Sequence, residues 1–146
     1  MRADAKTEAA VMDVINKYNE AYTKRDLDGV LTLFPLDDDV IVIGTGGDER
    51  RVGLTKIKAQ IERDFAQSES ASIEITWHSV SVAGSVAWVA ANCVARVMVS
   101  GQEISLPLRS TAVLEQRGDR WLIVQSHASI PATSQMEGES FPVQQV

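Results

Sequence analysis

Three glycine-centred turns cut the second half of this chain into long strands and leave few ways to fold it. Ala83-Gly84-Ser85, Ser100-Gly101-Gln102 and Arg117-Gly118-Asp119-Arg120 each separate runs rich in Val, Ile, Leu, Ala and Thr. The runs Val86–Val99, Glu103–Gln116 and Trp121–Ile130 read as three long strands. Upstream, Ile73–Trp77 and Val80–Val82 alternate apolar and polar residues but out of phase, which predicts one more strand with a bulge near His78. Strands joined by short turns pair as an antiparallel meander. Val86–Val99 is apolar on both faces apart from Asn92 and Arg96, so both faces of the sheet call for cover.

The first half supplies one cover. Val11, Val14, Ile15, Tyr18, Ala21 and Tyr22 recur at helical spacing, predicting a helix from Lys6 to Lys24. Asp26 caps a short second helix carrying Leu27, Val30, Leu31 and Phe34, and Pro35 stops it. Val40–Ile43 and Arg50–Val52 read as a short hairpin around Gly44-Thr45-Gly46-Gly47-Asp48-Glu49. A third helix follows Gly53, with Leu54, Ile57, Ile61 and Phe65 on one face, before a polar break at Ser68–Ser72. The expected architecture is α+β: three helices on one face of a strongly curved, mainly antiparallel sheet. A second copy of the chain is the simplest cover for the other face, so a homodimer through the sheet is expected. Residues 1–131 read as one domain and 132–146, rich in Pro, Ser, Gln and Glu, as a flexible tail.

The net charge of −6, with no clustered Lys and Arg, disfavours a nucleic-acid partner. No apolar run reaches a membrane span, and the polar first ten residues offer no leader segment, which points to a cytoplasmic protein without a membrane partner. Cys93 lies alone in an apolar run, so it reads as a small buried hydrophobe. His78 and His127 are too far apart in the chain to form a metal signature, Asp37-Asp38-Asp39 lacks the rest of a calcium loop, and the glycine turn lacks the Lys-Ser/Thr of a phosphate loop. No metal or cofactor is expected.

Arg109 is the strongest single candidate for a site. It is the lone charge in Leu106-Pro107-Leu108-Arg109-Ser110-Thr111-Ala112, and a charge in such a strand must be solvated, paired, or facing an anion. It reads either as a ligand anchor or as half of an ion pair with an acid such as Glu74 or Glu103. Tyr18 and Tyr22 lie on the apolar stripe of the first helix, as core or as ligand contacts. Trp77 can line a pocket or fill the core. His127 is the best group for proton transfer because imidazole titrates near neutrality, but its strand phase also fits an interface.

The order of elements and three local strings resemble the nuclear transport factor 2-like superfamily, which includes ketosteroid isomerases, scytalone dehydratase and SnoaL-like polyketide cyclases. The likeness spans roughly residues 8–131. One string is Tyr18 through Arg25-Asp26-Leu27-Asp28-Gly29 to Phe34; the second is Gly44–Gly53 followed by Leu54–Phe65. The third, Trp121-Leu122-Ile123-Val124-Gln125-Ser126-His127-Ala128-Ser129, looks like the last strand of the calcium/calmodulin-dependent kinase association domain. The resemblance implies a cone-shaped fold with a deep pocket between helices and sheet. It places Tyr18 where the isomerases keep an oxyanion-binding tyrosine, Gly44 where they keep the aspartate base, and Arg109 where they keep a protonated aspartic acid. Glycine and arginine cannot shuttle a proton at neutral pH, so steroid isomerisation of that kind is excluded. The expected function is that of a SnoaL-like protein binding a compact organic acid or polar aromatic molecule on Arg109, with a lyase, isomerase or cyclase step compatible with the pocket. A non-catalytic association scaffold is the rival.

Overall fold

The computed structural model describes residues 1–143. Helix α1 (Ala5–Thr23) begins where the Asp4 carboxylate accepts the Thr7 N–H at 2.8 Å. Arg25 adopts a left-handed backbone (φ 59°), which turns the chain sharply into α2 (Leu27–Leu31). The Asp26 side chain caps α2 by accepting the Gly29 N–H at 3.0 Å. The short strands β1 (Ile41–Ile43) and β2 (Arg50–Val52) form the expected hairpin. Gly53, at φ 84°, then permits the turn into α3 (Leu54–Ala66).

The meander follows as β3 (Ser70–Ala83), β4 (Val86–Val99), β5 (Gln102–Arg117) and β6 (Arg120–Ser129). The six strands lie in the order β2-β1-β6-β5-β4-β3. All pairs are antiparallel except β1 with β6, which run parallel with Ile43 beside His127. The expected bulge in β3 falls at Thr76, between Ile75 and Trp77, two positions before His78. A second register shift lies between Val113 and Leu114, against β6.

The three helices pack on one face of the sheet. The core draws Val11 and Val14 from α1, Val30 from α2 and Ile57 from α3 onto Val80, Ala87, Leu114, Trp121 and Ile123 of the sheet. These strand positions cluster at the sheet end marked by the Gly84 and Gly118 turns. Arg25 ties the helices together: its guanidinium lies 4.9 Å over the Phe65 ring, donates to the Ser68 carbonyl at 3.0 Å, and donates to the Phe65 carbonyl. Residues 132–143 are almost wholly exposed and outside any helix or strand; the last three positions of the expected tail, 144–146, lie outside the described residues. Among the described residues, no helix is long and apolar enough to cross a membrane.

Candidate functional site

The other end of the sheet is not filled. Alternation along β4 points Ala91, Cys93 and Ala95 toward the helices, and all three are buried yet small. Their short side chains cannot reach α1 and α3, and a cavity of about 530 Å³ remains between them. Its walls are mainly aliphatic: Ile73 and Ile75 from β3, Leu106 and Leu108 from β5, and Ile57 and Ile61 from α3.

One part of the wall is polar. Tyr18, Asn19 and Tyr22 reach the cavity from α1, Gln60 and Asp64 from α3, and Gln67 from the C-cap of α3, at helical spacing. The Tyr22 hydroxyl donates to Asp64 Oδ2 at 2.8 Å, and Gln60 Nε2 donates to Asp64 Oδ1 at 2.8 Å. Gln60 Oε1 in turn accepts from Arg51 Nε at 2.9 Å. Arginine only donates, so this contact fixes which end of the buried Gln60 amide faces the carboxylates. Glu49 also borders the cavity but is neutralised, its Oε1 lying 2.9 Å from Arg63 Nη2. Arg63 is further engaged by Asp48 at 2.7 Å. Asp64 has no ion-pair partner among the described residues. Burial raises its carboxyl above the ordinary range and the Glu49 charge adds to this, while the Gln60 and Tyr22 hydrogen bonds and the Arg63 charge oppose it. Burial and then the Asp64 charge push Tyr18 up to about 12 and move Tyr22 in the same direction. Both phenols therefore remain protonated donors at neutral pH. The Tyr18 hydroxyl makes no hydrogen bond among the described residues and stays free at the cavity wall.

The residues singled out from the sequence divide. Tyr18 and Tyr22 line the cavity, their rings stacked with centroids 6.2 Å apart. His127 touches only its edge: it pairs with Thr111, out of phase with the inward Ser110 and Ala112, so its exposed side chain takes the outward side of β6, and its imidazole makes no hydrogen bond among the described residues. Arg109 does not line the cavity. The two-residue period of β5 sends Leu106, Leu108 and Ser110 inward, leaving Pro107 and Arg109 exposed on the outer face. There Arg109 stands opposite Asn92 and Ser129. It forms no ion pair with either acid considered for it; Glu74 bonds Arg96 instead, at 2.9 Å. Trp77 is also outside, at 53% exposure. The Thr76 bulge reverses the alternation, so Trp77 leaves the face of Ile73 and Ile75, and His78 turns toward α1 to meet Glu8 at 3.1 Å. At Gly44 the resemblance implied a lost base; a Cβ there would collide with the Glu49 carboxylate, which folds over that glycine.

Asp64 and Gln60 did not emerge from the sequence, although a signal was present. Gln60 lies three and Asp64 seven residues after Ile57, on the face Ile57 and Ile61 define, and polar residues on an apolar helix face mark a satisfied network or a site. Among the described residues, no group of three or more His, Cys, Asp or Glu side chains is arranged to hold a metal.

Solved structures share the fold at low identity. A nuclear transport factor 2-like superfamily protein from Salmonella enterica superposes with a TM-score of 0.82 at 19% identity, covering 95% of this chain and 100% of that one. A protein from Streptomyces avermitilis assigned as a dehydratase of the same family gives 0.80 at 19% identity, covering 89% and 100%. One from Xanthomonas campestris, assigned as a calcium/calmodulin-dependent protein kinase II association domain, gives 0.74 at 22% identity, covering 90% of each chain. No protein of curated function matches the sequence. The sequence profile of the SnoaL-like domain matches residues 11–133, from within α1 to just past β6. With its helices on a curled sheet and its cavity between them, the chain belongs to the SnoaL-like domain family, on a nuclear transport factor 2-like fold.

Proposed function

We propose that this chain binds a compact, mainly apolar or aromatic small molecule in the cavity over Ala91, Cys93 and Ala95. The observation that carries this reading is the break in packing. One end of the sheet is filled, while at the other three consecutive inward positions of β4 are small and the space above them is left open. Native interiors rarely tolerate such voids without a use, because every missing contact costs dispersion energy. Of the two ligand chemistries expected from the sequence, the polar aromatic fits the lining. The organic acid does not: Arg109 faces away, and the charged groups at the wall are the carboxylates of Glu49 and Asp64. If a lyase, isomerase or cyclase step occurs there, Asp64 supplies the carboxylate at the cavity wall, while His127, paired with Thr111, lies on the outward side of the sheet.

The Ala95→Phe variant tests the reading by filling the cavity from the β4 wall. Naphthylethanol, titrated against labelled protein and followed by backbone amide shifts, is expected to perturb cavity residues in the wild type and none in Ala95→Phe. Equal perturbation of both proteins, or perturbation confined to the outer sheet face, overturns it.

An association module is the second reading, favoured by the uncovered outer face of the sheet. Trp77, Val86, Trp88, Val94 and Val113 lie there with no helix over them, and the Xanthomonas protein of the same fold is assigned as an association domain. The proposed partner is a second copy of this chain, docked face to face through β3–β6.

A further inference from the structure

A half-buried carboxylate without a cation is an unfinished arrangement. Asp64 accepts from two neutral donors, Tyr22 and Gln60, while Arg63 is bonded to Asp48 and Glu49 and Arg51 to Gln60. Among the described residues, the cavity wall carries no lysine or arginine. Two neutral bonds hold both carboxylate oxygens in place but leave each with a further lone pair. Beside it stand the stacked rings of Tyr18 and Tyr22, whose faces attract cations, and the free Tyr18 hydroxyl. The wall over β3, β4 and β5 is mainly aliphatic.

We propose that the cavity takes a primary or secondary amine: its ammonium group sits on Asp64 against the Tyr18 and Tyr22 rings, and its apolar body lies over Ala91, Cys93 and Ala95. This rests on the small-molecule reading above and names the chemical class of the ligand. The ammonium supplies the missing positive charge, and a charge-assisted bond in a site withdrawn from water is stronger than a neutral one. Tyr18 then has a role for its unpaired oxygen, which accepts from a second ammonium hydrogen. A carboxylate ligand meets the opposite field, from Asp64. The burial that raises the Asp64 carboxyl is the same effect that a bound cation would reverse.

The test compares naphthylethylamine, naphthylethanol and naphthylacetate, alike in body and different in head group. Dissociation constants are measured at neutral pH by titration calorimetry, on the wild type and on Asp64→Asn. The isosteric asparagine keeps an oxygen for the Gln60 N–H. The expected result is amine binding about tenfold tighter than alcohol in the wild type, equal binding of the two in Asp64→Asn, and weakest binding of the acid. Alcohol and amine binding equally to the wild type overturns the amine assignment while leaving the cavity reading intact. The same holds for an amine preference that survives in Asp64→Asn. If none of the three binds the wild type, the small-molecule reading fails, and the amine assignment fails with it.

Discussion

Gln60 can donate to Asp64 only because Arg51 holds its carbonyl oxygen on the other side. That relay ends on a carboxylate whose burial is incompletely offset. The direction of its titration gives a sharp expectation. Its carboxyl is raised above the ordinary value of 3.8, so protonation favours the folded chain: the benefit is complete below that value and is lost as pH rises through the raised one. Asp64→Asn should therefore melt at a higher temperature than the wild type at neutral pH, with the gap closing in acid. Thermal melts of both proteins across that pH range check it; a gap that does not depend on pH contradicts the assignment. Taking the difference between two proteins cancels the carboxylates shifted the other way, Asp4, Glu20, Asp37 and Asp48, each held low by a hydrogen bond. At this scale the sequence was a partial guide. Arg109 stood out because its neighbours are apolar, but a lone charge in a strand does not say which face it takes. Asp64 was hidden by its polar neighbours Glu62 and Arg63, which are ordinary for a helix surface.

Elements were far more legible than side-chain directions. Glycine turns, the Asp26 cap and Pro35 mark boundaries locally, and β2 and β4 begin and end where the pattern puts them. What could not be read locally is the parallel pairing of β1 with β6, which joins residues more than 80 positions apart, and the site of the β3 bulge. That one-residue insertion decides whether Trp77 or His78 faces the helices. Among the connections between elements, Arg25 carries the most weight, because one side chain fastens the α1–α2 corner to the end of α3. Arg25→Ala removes a cation–π contact and hydrogen bonds to two carbonyls and should cost about 2 kcal/mol, lowering Tm by about 4–8 °C. Arg25→Gly loses the same contacts but relieves the left-handed backbone, so it should lie about 1 kcal/mol closer to the wild type. Denaturant titrations of the pair separate the two contributions; identical losses would mean that the backbone conformation carries no cost.

On the scale of the whole molecule, the two faces of the sheet carry different problems. The inner face is shared between core and cavity, while the outer face holds aromatic and branched side chains around Arg109, which has no ion-pair partner among the described residues. If two copies meet there, Arg109 must find its partner across the interface or remain at its wet rim, since burying it alone is costly. Light scattering should give a dimer for the wild type and a monomer for Val94→Asp, which places a charge in the middle of β4's outer face. A wild-type monomer at high concentration removes the face-to-face arrangement. The division of the inner face has its own consequence. β4 packs the core with Ala87 near one turn and bounds the cavity with Ala91, Cys93 and Ala95 further along. Cavity size and core packing thus lean on different stretches of one strand, with Val89 between them shared by both. A lineage could widen or narrow the cavity by exchanging one small residue for another there, while Ala87 keeps its place in the core.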